Sequence, residues 1–284
     1  MRGGDLLDST TPRPGLRWKS WIKSPKVLGF ASSAFFLVFV NYLHFGVVLK
    51  TWSPQKPPVD RESCTCPCWD TIFKGTYQMG ISGYKHMYFN ITPQALKMWT
   101  LTVVTILMVH ECICYIIRIF LNSKIRTSML LLLVSVVHSH YYSWWVLWGY
   151  YNDDFYAQWP HQMFFTLTEL MSTVLVLWQL DEATPLSPRL TLVIADIALL
   201  HILAGGIDQF VLNVIFGLGE RHQVLRDLAF MSSDIIYLIV ACIELARLSC
   251  GNGMTLSLLW KSLKWDLLYS GLVISALLVF LSLL

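Results

Sequence analysis

Charge is what this chain has least of. Only 14% of its 284 residues are Asp, Glu, Lys or Arg, against about 25% in an ordinary soluble domain. A normal solvated surface is therefore excluded. The net charge of +3 gives no footing for nucleic acid, which is not expected as a partner. The chain lacks a G-x-S-x-G elbow, a P-loop, a Rossmann fingerprint, an EF-hand loop and an H-E-x-x-H pair. No motif therefore assigns a cofactor or a metal. Internal repeats, low-complexity tracts and a separable soluble domain are missing too. So is the pattern of a cleaved signal: Arg13, Arg17, Lys19, Lys23 and Lys26 precede an apolar run, but that run is too long for one.

What is there is apolar. The chain is 55% hydrophobic, with a mean hydropathy of +0.53. Runs near the bilayer length of about 20 residues cover residues 27–49, 96–121, 128–150, 161–180, 190–207, 228–246 and 265–284. The expected fold is all-α, a polytopic transmembrane helical bundle of about seven spans. Residues 210–218 are apolar but too short to cross alone, and they follow Gly205-Gly206, a helix-breaking pair. Either the fifth helix runs long with a kink, or a re-entrant or interfacial piece follows it. Residues 1–26 form a basic N-terminal segment, 27–284 a single bundle domain, and 50–95 the one large loop. The distribution of Lys and Arg puts the N-terminus in the cytosol and that loop in the lumen or outside the cell. The endoplasmic reticulum and the plasma membrane both remain open as the site of residence.

Against this apolar background stand His110, Glu111, His138, His140, Glu169, Asp196, His201, Asp208, Asp234 and Glu244, inside the spans or, for Asp208, at the edge of one. Each charged group at bilayer depth costs roughly 2.5–3.5 kcal/mol on insertion scales. They must meet each other, water or an ion. His138 and His140 are two residues apart, so on a helix they point about 200° away from each other and do not readily grip one ion. His201 and Asp208 are seven apart and share a helical face, with Gly205-Gly206 between them. An imidazole beside a carboxylate suits acid–base work, metal orientation or proton relay. Glu169 and Asp234, on neighbouring spans, are expected to converge on the same region. The candidate site is therefore His138, His140, Glu169, His201 and Asp208.

The other polar groups have plainer readings. Glu111 with Arg118, and Glu244 with Arg247, are expected as structural pairs, and Asn41 and His44 face the bundle. Asp196 lies on another part of the fifth helix, within reach of a neighbour. In the long loop, Cys64, Cys66 and Cys68 are expected to form a local staple or an intermolecular link. Asn90-Ile91-Thr92 matches the N-glycosylation pattern, and Asp153 and Asp154 read as a solvated acidic loop.

The seven-span plan with His and Asp inside the membrane resembles the ceramidase-like membrane hydrolases in architecture. Those enzymes complete a His cluster on their last span, and residues 265–284 hold no His. The resemblance therefore carries no metal site onto this chain. Three functions stay open: an enzyme acting on a lipid or lipid-linked substrate, a transporter or channel, and a non-catalytic receptor-like, chaperone or accessory subunit. Membrane lipids are the expected partners, with a membrane-protein partner or a second copy as further possibilities.

Overall fold

A computed structural model of the protein describes residues 24–48, 93–152, 159–251 and 256–283. The Cys64–Cys68 motif, Asn90, the basic N-terminal segment up to Lys23 and the Asp153–Asp154 pair lie outside the described residues. Among the described residues, eight α-helices make the bundle: α1 Pro25–Tyr42, α2 Pro93–Asn122, α3 Thr127–Ser135, α4 Val137–Asn152, α5 Trp159–Trp178, α6 Pro188–Gly205, α7 Arg221–Gly251 and α8 Leu256–Leu283. Prolines open α1, α2 and α6, where the missing N–H costs no helical bond.

Among the described residues, six stretches are long and apolar enough to cross a bilayer: α1, α2, the α3–α4 pair, α6, α7 and α8. The all-α membrane bundle expected from the sequence is what the chain forms. The fourth expected span, 161–180, does become a helix, α5, with the 20 residues a crossing needs. It is not among the six apolar ones. Its His161, Gln162, Thr166, Thr168, Glu169, Ser172 and Thr173 give it a polar interior face.

Helix α6 is the axis of the bundle. Its crossing segment is 44% buried, against 6% for α2 and 11% for α1 and α8. It packs on α5, α7 and α8. Small residues let these helices approach, and Ala195, Ala198 and Ala241 sit in one core with Met129, Leu132, Val176 and Ile194. A second cluster joins Leu200 to Ile274 and Leu281 of α8. Asp196 accepts a hydrogen bond from Ser270 Oγ at 2.5 Å, tying α6 to α8 as its position on the helix allowed.

Helices α1 and α2 pair with each other at the side of the bundle. Gly29 is buried there, and a Cβ on it would lie 2.4 Å from Cys114 Sγ. One turn on, Ser33 Oγ meets His110 Nδ1 at 3.1 Å. The pair reaches the rest of the bundle through a hydrogen bond from Tyr141 Oη to Asn41 Oδ1 (3.2 Å) and the rings of His44, Tyr141 and Trp145. Asn41 and His44 thus both contact α4, His44 half-buried and Asn41 at the exposed edge. Glu244 and Arg247 pair at 2.8 Å. No ion pair joins Glu111 to Arg118 among the described residues. Seven residues along a helix is a rise of about 10.5 Å, too far for a direct bond.

The ends of the bundle differ. At one end the loops 123–126 and 179–184 are clasped. Arg126 N–H donates to Leu180 O (2.8 Å), Glu182 N–H to Lys124 O (2.9 Å), and Ile125 bridges to Asp181. The Arg126 guanidinium donates to Gln179 O and, at 2.9 Å, to Thr184 O. Ser123 Oγ donates to Asp181 Oδ1 at 2.5 Å. That hydroxyl, the Ala183 N–H and the nearby Arg126 hold the Asp181 carboxyl below its ordinary range.

Beyond Gly205 the helix of the fifth expected span, α6, does run long. It continues as a π-helix over Gly206–Ile215, closed by Phe216 N–H donating five residues back to Val211 O (3.0 Å). Gly205 and Gly206 keep right-handed helical dihedrals, so the expected break there is a change of winding instead. The chain turns at Gly217, whose φ of 67° suits glycine. Such π segments are rare and recur at functional sites.

Candidate functional site

The polar side chains of α5 set the site. Thr168, Glu169 and Thr173 project toward α4, α6 and α7, and each meets a titratable group or its partner. His201, on α6, is 7% exposed. Its Nε2 lies 2.8 Å from Thr168 Oγ1, and its Nδ1 lies 3.4 Å from Asp234 Oδ1 on α7. His140, on α4, repeats the plan: Nε2 lies 2.8 Å from Thr173 Oγ1, and Nδ1 lies 3.9 Å from Glu169 Oε2. The first carboxylate distance is near hydrogen-bond length; the second is an ionic approach without a direct bond.

Each imidazole is therefore held between a threonine hydroxyl and a carboxylate. Thr168 has one hydroxyl proton, and its Oγ1 also lies 2.9 Å from Phe164 O and 3.0 Å from Phe165 O. With that proton on the backbone carbonyls, His201 Nε2 is the donor to Thr168. With the proton turned to His201 instead, Nε2 accepts and the ring proton sits on Nδ1, the atom that faces Asp234.

Glu169, His201 and Asp234 line a cavity of about 120 Å³. Its other polar walls are Ser143, His161, Gln162, Gln209 and Asp227, and its apolar walls include Phe165, Phe210, Phe230 and Met231. These residues come from α4 (Ser143), the first half of α5, the end of α6 with its π extension, and the first half of α7. The cavity thus sits toward the end of the bundle opposite the clasp. Asp227, 4% exposed, is already satisfied: Asn213 Nδ2 donates to it at 2.7 Å and Arg226 Nε at 2.5 Å. Ser143 is 3% exposed and has no hydrogen-bond partner among the described residues. A Cβ on Gly205 would meet nothing within 4 Å, which is why the cavity extends to that backbone.

Of the five expected site residues, the structure brings Glu169, His140 and His201 together. His138 stands apart, with its ring 6.0 Å from Tyr142 and 6.3 Å from Phe230. The divergence of the two imidazoles follows from their spacing. Asp208 lies in the π segment, and its side chain is outside the described residues. The seven-residue face it was to share with His201 assumed α winding, which stops at Gly205. Among the described residues, the carboxylate paired with His201 is Asp234. Thr168, Thr173, Ser143, Gln162 and Asp227 carried no sequence signal of their own. Only their shared position on the inner faces of α4, α5 and α7 marks them.

This geometry supports proton transfer and general acid–base work. It does not build a nucleophilic triad, although Thr168, His201 and Asp234 line up like one. Thr168 does not line the cavity. The surrounding backbone N–H groups are spent on helical bonds, so no oxyanion hole faces it. Among the described residues, no three His, Cys, Asp or Glu side chains converge with metal-holding geometry.

Residues 26–284 match the model of one family, described as a family of unknown function (DUF8801), and the chain belongs to it. No curated protein and no solved structure matches the chain.

Proposed function

We propose that this DUF8801 protein is a membrane-embedded enzyme that performs acid–base chemistry on a lipid or lipid-linked substrate. One observation carries the reading. Two carboxylates, Glu169 and Asp234, face a single cavity, and each is backed by an imidazole. The cavity's remaining walls are partly aromatic, and the helices around it are apolar outside. A volume of about 120 Å³ holds a head group but not a whole lipid, so the apolar chain stays along Phe210, Phe230 and Met231. In this reading Glu169 and Asp234 touch the reacting atoms as acid and base. His140 and His201 are positioning residues, held by Thr173 and Thr168. The substrate reaches the site from the bilayer, and the basic loops favour a cytosolic N-terminus in the endoplasmic reticulum or plasma membrane.

The test is a lipid inventory of cells with and without the protein, together with turnover of membrane lipid extracts by purified protein. The expected result is one lipid class that accumulates without the protein and is restored by wild type but not by Glu169→Gln or Asp234→Asn. An unchanged inventory, with no turnover in vitro, overturns the reading.

A second reading has its own observation. The cavity lies toward one end while the clasp and the Met129–Leu132 core close the other, as in the occluded half of a proton-coupled carrier. Proton flux through reconstituted protein under an imposed pH gradient, abolished by Asp234→Asn, would favour that carrier over the enzyme.

A further inference from the structure

We infer that the cavity is built for a primary ammonium group carried on a single apolar chain. The inference rests on the reading that the cavity is the substrate site, and it names the chemical class of that substrate. Three features converge. First, Glu169 and Asp234 face the cavity, and no Lys or Arg lines it among the described residues. Their nearest basic partners are imidazoles, His140 at 3.9 Å from Glu169 and outside the lining, and His201 at 3.4 Å from Asp234 and within it. The third carboxylate, Asp227, is already matched by Arg226 and Asn213. Second, Ser143 presents a buried hydroxyl that has no partner among the described residues, and its oxygen is free to accept. An ammonium has three N–H donors and no acceptor. Two carboxylates and one hydroxyl oxygen supply the three acceptors it requires. Third, Phe230 and Phe210 wall the same space, and ring faces attract a desolvated cation.

A neutral alcohol brings one donor and leaves one of the two carboxylates without a charged partner. An anionic head group fits worse, since it would face two carboxylates with no Lys or Arg among the described lining residues to receive it. A quaternary ammonium has the charge but no N–H to give.

The experiment uses the full chain in nanodiscs of neutral phospholipid. Dodecylamine, dodecanol and dodecyltrimethylammonium compete against a fluorescent alkylamine near neutral pH. Dodecylamine should bind about tenfold or more tightly than dodecanol, the weight of one to two charge-assisted hydrogen bonds. It should also exceed the trimethyl compound. The Glu169→Gln/Asp234→Asn double variant should lose that preference.

In case the double variant fails to fold, Gly205→Leu is the second probe. Position 205 has right-handed helical dihedrals, its Cβ would meet no clash, and it lines the cavity, so a leucine there extends into the binding space. Helical content and thermal midpoint should stay close to wild type while amine binding falls about tenfold or more. Equal binding of amine and alcohol overturns the proposal. So does a preference that survives Gly205→Leu, which would mark adsorption to the bilayer surface. Binding needs no turnover, so the two readings fail separately. Amine binding without any lipid conversion sinks the enzyme and leaves this proposal standing. Conversion of an uncharged lipid with no amine preference does the reverse.

Discussion

Replacing Arg126 tests the clasp at the closed end of the bundle. Its guanidinium spans two backbone carbonyls, Gln179 O and Thr184 O, that belong to the same loop but lie five residues apart. A hydrogen bond from a charged donor contributes roughly 1.5–3 kcal/mol. Gln179 is fully buried, so water cannot replace the lost donor at its carbonyl. At Thr184 it can. Arg126→Ala should therefore cost about 3 kcal/mol, the larger share coming from the Gln179 side. Arg126→Lys should still lose about 1.5 kcal/mol, because a single ammonium cannot reproduce the planar fork. The assay is reversible unfolding in mixed detergent micelles, followed by tryptophan fluorescence. Arg189→Ala is the control: Arg189 is 78% exposed and pairs with Asp266 at 3.2 Å, so its removal should cost under about 1 kcal/mol. If Lys holds as well as Arg, or if Ala stays within about 0.5 kcal/mol of wild type, the clasp is not a stabilising element and the argument fails.

Other outcomes follow from the same structure. Gly29→Leu should force α1 from α2, since even a Cβ there lies 2.4 Å from Cys114 Sγ and 3.5 Å from its Cα. A loss of about 1–3 kcal/mol is expected, with reduced cross-linking between cysteines placed on the two helices as the readout. Thr168→Val and Thr173→Val keep side-chain shape but remove the hydroxyl from His201 and His140. Each should cost about 0.6–1.7 kcal/mol, and Thr168→Val should depress turnover more, because His201 lines the cavity and His140 does not. Equal effects on turnover would count against the Asp234–His201 pair as the working half. Asp181 is held below its ordinary value in the folded chain, so its contribution is present above the unfolded carboxyl range and is lost as pH falls through its own lower value. Ser123→Ala should weaken that acid sensitivity. A Ser123→Ala variant with the same acid midpoint as wild type would contradict it.

The spans were legible because a bilayer imposes a length, and apolar runs near that length repeat along the chain. Helix α5 was legible for the same reason, yet its polar face is the one that matters, and polarity at Thr168 or Thr173 looks ordinary in a one-dimensional reading. The divergence of His138 from His140 could be derived, since helical geometry alone decides it. The partner of His201 could not. Asp208 was nearer in sequence, but pairing depends on which helix lies across the bundle and on how the backbone winds past Gly205. A π-helix differs from an α-helix by one hydrogen-bond step, and the Gly206–Ile215 sequence states no preference strong enough to read. Asp234 was within the set of groups expected to converge, and only the packing of α6 on α7 turned that set into a pair.

The clasp also orders events in time. Its hydrogen bonds join residues 53 and 58 positions apart, from Arg126 to Gln179 and Thr184 and from Ser123 to Asp181. All the partners exist once residue 184 has been synthesised, before α6 begins. Closing a loop of that length costs only slightly more than closing one half as long. Helices α3, α4 and α5 thus form a segment with its two ends already tied. His140, Glu169 and the two threonines are then in register before the later helices arrive, and α6 and α7 bring His201 and Asp234 onto a half-site that is already in place.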